Sequence, residues 1–115
     1  RRVLFRSMNS LDLTQLEKEV LMWLLAGDDP VIKALRRQLQ EIRSIRRELT
    51  GVGIHLYFET SIDTQPLHKE LDVKADFCFG DVEAETQSLK NGIGFLLWIR
   101  NGIITSLEGY TYDEI

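Results

Sequence analysis

Apolar and polar positions change their period near the middle of the chain, which divides it into a helical half and a strand half. In the first half, Thr14 and Glu17 form a capping-box pattern, and Gly27 marks a helix end. Between them, apolar residues recur at the three- and four-residue spacing of a helix face: Leu16, Val20, Trp23 and Leu24. The pattern predicts a first helix over residues 14–26.

A second helix is predicted directly after the first. Asp29 before Pro30 is typical of a helix N-terminus, and Thr50-Gly51 is typical of a helix end. The apolar positions between them share one sector of a helical wheel: Val31, Ile32, Leu35, Leu39, Ile42, Ile45 and Leu49. The sequence therefore predicts a helix over residues 30–49, joined to the first by a tight antiparallel connection.

Alternation replaces the helical period in the second half. Every other position is apolar, first at Ile54, Leu56 and Phe58 and again at Val73, Ala75, Phe77 and Phe79. Gly80-Asp81 interrupts the second stretch, which leaves either two short strands or one strand bent by a bulge. Asn91-Gly92 and Asn101-Gly102 are typical of hairpin turns. We therefore expect strands on both sides of each of these dipeptides.

Helices followed by a run of strands predict one α+β domain. Its N-terminal αα-hairpin is expected to pack on one face of a four- to five-stranded antiparallel meander sheet. A chain of 115 residues suits one hydrophobic core. The longest apolar run, Val20 to Gly27, is shorter than the ~18 residues that a membrane helix needs, and no signal-peptide pattern precedes it. We expect a cytoplasmic protein without membrane contact.

The first seven residues, Arg-Arg-Val-Leu-Phe-Arg-Ser, resemble the translated end of a sequencing adapter. We interpret residues 1–7 as a non-native leader, Met8 as the native start, and residues 8–115 as the domain. Without the leader, which carries three arginines, the formal net charge changes from −4 to −7. Such an acidic domain disfavours general nucleic-acid binding. The same origin leaves open a truncation at Ile115.

Charge is distributed unevenly along the chain. Residues 30–50 carry six basic and two acidic side chains, whereas residues 51–115 carry four basic and eleven acidic ones. This asymmetry is compatible with a basic surface for a phosphate-bearing partner. It also arises when a basic helix packs beside an acidic sheet, and we favour this second interpretation.

Several short motifs in the second half resemble a family of small uncharacterised bacterial proteins. They are Arg47 to Gly53, Gly80-Asp81-Val82 with Ala84-Glu85, Asn91 to Phe95, and the closing Leu-Glu-Gly-Tyr-Thr-Tyr-Asp-Glu of residues 107–114. The family usually continues with a Trp-Pro pair, whereas this chain ends at Ile115, which favours truncation. The resemblance implies a small bacterial cytosolic protein and implies no chemistry.

Two sets of residues have side chains suited to phosphate binding or catalysis. On the predicted second helix, five cations share an outer face: Lys33, Arg36, Arg37, Arg43 and Arg47. This face is suited to phosphate or nucleic-acid contact, although no aromatic residue is interleaved for base stacking. His55 and Tyr57 share the non-core face of the first predicted strand. An enzyme site in the sheet would combine them with the carboxylates of another strand: Asp81, Glu83 and Glu85.

On a strand, the three carboxylates would face the same way, as oxygen ligands for a hard cation do, but no second ligand segment is identifiable. Cys78 is the single cysteine, so no internal disulfide forms, and its spacing from the two histidines matches no zinc site. No nucleophile stands beside His55 in the sequence. We therefore expect no cofactor, no metal and no catalytic residues, and we interpret the Asp81 to Glu85 stretch as a solvated strand face.

The C-terminal hairpin predicts a surface for a partner. With a two-residue turn at Asn101-Gly102, one face carries Phe95, Leu97, Ile99, Ile104, Ser106 and Glu108. The other face carries Leu96, Trp98, Arg100, Ile103, Thr105 and Leu107. A sheet with helices on one side needs only one apolar face. The second is therefore covered by the 60–72 loop, the missing C-terminus, a second chain or a ligand.

Arg46 and Glu108 are predicted to meet inside the protein. Arg46 falls within the apolar sector of the second helix, and Glu108 falls on the strand face assigned to the core. A buried charge needs a partner, so an ion pair across the helix–sheet interface satisfies both. The alternative is that both side chains reach solvent.

Together these patterns favour a non-enzymatic binding module acting by protein–protein contact, of a regulatory or toxin-neutralising type. Its partner is another protein or a second copy of the chain, and nucleic acid is disfavoured. The alternative is a small hydrolase or metal-dependent enzyme that uses His55, Tyr57 and the strand carrying Asp81, Glu83 and Glu85. Phosphate contact by the basic helix is a third hypothesis.

Overall fold

The computed structural model describes residues 12–51, 53–86 and 89–111, with backbone alone for 81–86, 89–93 and 111. The predicted leader at residues 1–7, the native start at Met8 and the chain end at Ile115 lie outside the described residues. No helix in the described ranges is long and apolar enough to span a membrane.

Two helices open the described chain, as predicted. α1 comprises Gln15–Leu24, and Thr14 and Glu17 form the expected capping box in front of it. α2 comprises Pro30–Leu39, and the Asp29 carboxylate caps it by accepting a hydrogen bond from the Val31 N–H at 2.8 Å. The start signals of both helices were therefore correctly interpreted from the sequence.

The predicted end of the second helix was wrong, because α2 stops at Leu39 and the chain turns into a strand. β1 comprises Ile42–Thr50. It pairs with β2, Gly53–Thr60, so the Thr50-Gly51 signal belongs to a tight connection between two strands. Pairing with β2 satisfies the β1 backbone in a sheet ladder, which competes with helix formation.

Five strands form one antiparallel sheet in the order β1-β2-β5-β4-β3, which confirms the α+β class with two N-terminal helices. The remaining strands are β3, Phe77–Thr86; β4, Leu89–Arg100; and β5, Ile103–Thr111. Because β5 lies between β2 and β4, the order differs from that of a simple meander. The segment between β2 and β3 includes a short 3-10 helix, Leu67–Lys69.

The two predicted hairpin turns had different outcomes. Asn101-Gly102 is a two-residue turn with both residues at positive φ, and Arg100 is paired with Ile103 across it. Asn91-Gly92, by contrast, lies inside β4. The interruption at Gly80-Asp81 proved to be a bulge within the single strand β3.

One hydrophobic core joins the helices to one side of the sheet. Leu21 of α1, Leu35 of α2 and Leu97 of β4 are fully buried in it. Leu67 of the 3-10 helix packs into the same core, so the 60–72 loop contributes its apolar side chain to the helix side. We call this side of the sheet the covered face.

A buried glutamine connects three parts of the covered face. The Gln38 amide of α2 donates to the carbonyls of Gln65 and Gly102, both at 3.0 Å. Its oxygen accepts from the Ile104 N–H at 2.8 Å. Since every polar atom of this amide is satisfied, its burial at 1% exposure is tolerated and holds α2 against the β4–β5 turn.

Candidate functional site

The side of the sheet away from the helices carries a connected group of polar and aromatic side chains. We call it the open face. Strand alternation and register assign to it Arg46, Glu48, His55, Tyr57, Cys78, Leu96, Trp98, Arg100, Ile103, Ser106 and Glu108. The described helices and the 3-10 helix pack on the covered face instead.

Aromatic stacking connects β1 and β2 on the open face. The rings of His55 and Tyr57 lie with centroids 4.4 Å apart and planes 10° from parallel. The guanidinium of Arg46 lies over the Tyr57 ring, 4.2 Å from its centroid. These contacts confirm that His55 and Tyr57 share the face away from the core, and they restrict the side-chain conformations there.

Two hydrogen bonds continue this group across β5 and β4. His55 Nε2 lies 3.2 Å from Ser106 Oγ, and either atom can donate according to the imidazole tautomer. The Trp98 indole Nε1 donates to Glu108 Oε1 at 3.0 Å. The Arg100 guanidinium lies 5.0 Å from the centre of the Trp98 ring. The open face therefore presents Trp98 between a carboxylate and a cation.

The predicted apolar surface of the C-terminal hairpin is only partly present. Leu96, Trp98 and Ile103 lie on the open face and are half-buried. Leu107 is wrong as an interface residue, because it is 1% exposed in the core. A bulge in β5 opposite Trp98 shifts the alternation, so that Ile104 and Leu107 both face the helices. Ser106 and Glu108 therefore lie on the open face, not in the core.

The predicted basic face of the second helix does not exist, because its members lie on different elements. Arg36 and Arg37 are on α2, whereas Arg43 and Arg47 are on β1. Arg36 donates to the carbonyls of Leu25 at 2.7 Å and Gly27 at 2.8 Å, which satisfies the C-terminal end of α1. Arg37 forms an exposed ion pair with Glu70 at 3.4 Å.

The predicted Arg46–Glu108 ion pair is also wrong. Arg46 is exposed and lies 3.5 Å from the Glu48 carboxylate, while Glu108 accepts from Trp98. Arg46 occupies a strand position on the open face, so it never enters the apolar sector that a continued helix would give it.

A partly buried ion pair does cross the helix–sheet interface, one residue further along the chain. Arg47 Nη2 lies 2.7 Å from Glu17 Oε1, and Arg47 Nε lies 3.2 Å from Glu17 Oε2. The Glu17 carboxylate is buried and also accepts from the Thr14 N–H at 2.8 Å. The hydrogen bonds between Arg47 and the Glu17 carboxylate raise the pKa of Arg47 above its ordinary value, although burial acts to lower it. The arginine thus stays charged.

The enzyme hypothesis fits this geometry poorly. His55 and Tyr57 lie on β2, whereas Asp81, Glu83 and Glu85 lie on β3, and β5 and β4 separate these strands. At about 4.8 Å per strand the two backbones are about 14 Å apart. The side chains of the three acidic residues lie outside the described part of the structure. Among the residues that are described, no cluster of three metal-ligating side chains occurs.

No protein-family model, curated protein or solved structure matches this chain. The functional interpretation therefore depends on the residues of the open face themselves.

Proposed function

We propose that this protein is a non-enzymatic binding module of the cytoplasm that contacts another protein through the open face. The observation that carries the proposal is the group of Arg46, Tyr57, Trp98 and Arg100, in which two guanidinium groups lie over two aromatic rings. Tryptophan, tyrosine and arginine are the residues that most often dominate the binding energy of protein interfaces. The module acts by covering a surface of its partner and needs no cofactor.

Preorganisation supports this proposal. Stacking holds His55 and Tyr57 together, and a hydrogen bond holds Trp98 against Glu108. Side chains already held in place lose less conformational entropy when a partner binds. A partner would therefore meet a surface whose geometry already exists in the free protein.

The Trp98→Ala variant tests this proposal, and Trp23→Ala is its matched control. Trp23 is 75% exposed on α1, so the control removes an equally large aromatic side chain away from the open face. Partners captured from a bacterial lysate are identified, purified and titrated against all three proteins. We expect Trp98→Ala to weaken binding about thirtyfold, which corresponds to about 2 kcal/mol, and Trp23→Ala to leave the affinity unchanged.

Hydrogen exchange of the complex adds a second readout. Protection of β2, β4 and β5 amides on binding supports the open face. A partner that binds Trp98→Ala as tightly as the wild type, or that protects α1 and α2 instead, contradicts the proposal.

The contact between Ser106 and His55 favours one other candidate, a small hydrolase. A serine hydroxyl 3.2 Å from an imidazole nitrogen has the geometry of a nucleophile and its base. Catalysis also needs a group that orients the imidazole and donors for an oxyanion. Glu108 lies opposite His55 in the ladder, but its carboxylate accepts from Trp98. Hydrolysis of an activated ester that is lost in Ser106→Ala and retained in Cys78→Ala would favour this candidate over binding alone.

A further inference from the structure

β1 forms one edge of the sheet. It pairs with β2 on one side, and none of the other described strands pairs with its second side. In an antiparallel ladder, alternate residues direct both backbone groups away from the paired strand. Such an edge is a template for pairing with another strand. After the irregularity between Ile42 and Ser44, the ladder is regular through Thr50.

The side chains of this edge include an exposed apolar residue and an exposed pair of opposite charges. Leu49 is 77% exposed, although its ladder partner Ile54 packs against the core. Arg46 and Glu48 lie on the open face, and their side chains remain 65% and 53% exposed although they lie 3.5 Å apart. An exposed ion pair stabilises a fold by only about 0–1 kcal/mol. Little stability is therefore lost when each of these charges pairs with the opposite charge of another chain instead.

We propose that two copies of this chain pair through β1 as antiparallel strands, with the two-fold axis at Arg47. Arg47 lies midway between Arg46 and Glu48 in the regular part of the β1 ladder, so this register pairs the residues on either side of it with each other. The register places Arg46 of each copy opposite Glu48 of the other. It also places the exposed Leu49 of each copy opposite Ile45 of the other, on the covered face.

The charge pattern selects this register over its neighbours. An axis at Arg46 would place two arginines opposite each other, and an axis at Glu48 would place two glutamates together. Like charges directly opposite in a ladder destabilise it, whereas opposite charges stabilise it by about 0.2–1 kcal/mol per pair. An axis at Ile45 forms no opposite-charge pair. Only the axis at Arg47 places both Arg46–Glu48 pairs in direct opposition.

The two Arg47 residues at the axis do not oppose the pairing, because each already has an anionic partner. Each guanidinium is held by Glu17 of its own copy at 2.7 Å and by the Asp12 carbonyl at 2.8 Å. These contacts direct the charge towards Glu17 of α1 in the same copy. The two sheets then join edge to edge, and their open faces form one continuous surface.

Exchanging the charges of Arg46 and Glu48 tests the register directly in the 115-residue chain. Arg46→Glu places two acidic side chains opposite each other, and Glu48→Arg places two basic ones. We expect the wild type to be a dimer by sedimentation equilibrium, and each variant to have a dimer dissociation constant raised about tenfold or more. When the two variants are mixed in equal amounts, every opposed pair joins one acid to one base. We expect the mixture to recover wild-type dimer affinity as a heterodimer.

Glu59→Arg is the matched control. Glu59 is exposed on β2, opposite Ser44 of its own copy, so this variant makes the same charge change one strand away from the edge. It should leave the dimer affinity unchanged. A monomeric wild type, a dimer that resists both β1 variants, or a mixture that fails to form the heterodimer overturns the proposal. So does a dimer that dissociates in Trp98→Ala and persists in Glu48→Arg, since the open face would then be the self-association surface.

Discussion

The two faces of the sheet use polar residues in opposite ways. On the covered face, the polar side chains of Glu17, Gln38 and Arg47 lie among aliphatic residues, and their hydrogen bonds connect separate elements. On the open face, polar groups bond to neighbours on the same sheet, as Trp98 does to Glu108 and His55 to Ser106. The first arrangement holds helices to strands, whereas the second orders a surface.

This difference suggests that contacts on the covered face stabilise the fold, whereas contacts on the open face serve recognition. Removing one partner from a buried polar contact leaves the other desolvated and unsatisfied, which is costly. Removing one from a surface contact allows water to replace it, which costs little. Variants on the covered face should therefore change the free energy of unfolding, whereas variants on the open face should change binding while the fold persists.

The largest difference in stability loss between variants of the two faces is expected at two neighbouring leucines of β4. Leu97 is fully buried in the core, whereas Leu96 lies on the open face. Leu97→Ala should lower the free energy of unfolding by about 3 kcal/mol, because it leaves a cavity, and Leu96→Ala by less than about 1 kcal/mol. Urea denaturation followed by circular dichroism measures both. Equal losses would contradict the assignment of faces.

A smaller difference is expected at the neighbouring arginines of β1. Arg47→Met leaves the Glu17 carboxylate buried without its cation, and should cost about 2 kcal/mol since Arg47 itself is partly exposed. Arg46→Met removes only the exposed contacts to Tyr57 and Glu48 and should cost less than about 0.5 kcal/mol.

The contribution of Arg47 to the free energy of unfolding should not depend on pH between neutral and mildly alkaline conditions. A raised pKa in the folded state means that the contribution is complete below the unfolded-state pKa. It is lost only as the pH rises through the still higher folded-state value. Urea midpoints that converge for Arg47→Met and the wild type in mildly alkaline buffer would show that this ion pair is not the source of the difference.

The smallest expected effect is a coupling on the open face. In a double-mutant cycle, Trp98→Phe and Glu108→Met should couple by about 1 kcal/mol, because the indole donates to the carboxylate at 3.0 Å and methionine offers no comparable acceptor. Arg46→Met and Glu108→Gln should be additive, since these residues have different partners. Coupling between Arg46 and Glu108 would instead indicate the ion pair that the sequence pattern predicted.

Two of the incorrect sequence predictions have the same physical cause, a β-bulge. On a regular strand, residues three apart point to opposite faces, but one extra residue returns them to the same face. The irregularity after Ile42 places both Ile42 and Ile45 against the core, which imitates the spacing of a helix. The bulge opposite Trp98 does the same for Ile104 and Leu107. Spacing alone does not distinguish a bulged strand from a helix.

The sequence by itself determined the features that depend on neighbouring residues. The capping box at Thr14, the start of α2 at Asp29 and Pro30, and the Asn101-Gly102 turn each satisfy local backbone groups or favour local dihedral angles, so short motifs specify them. Alternation also predicted the face of His55 and Tyr57, since no bulge lies between them.

Tertiary structure decided the features that depend on distant partners. Pairing with β2 ended the second helix at Leu39, and the insertion of β5 between β2 and β4 brought Ser106 to His55 and Glu108 to Trp98. The core-facing position of Arg47 is tolerated because α1 supplies Glu17, thirty residues earlier in the chain. These contacts join residues far apart in sequence, and their energies depend on burial, which a local pattern does not contain.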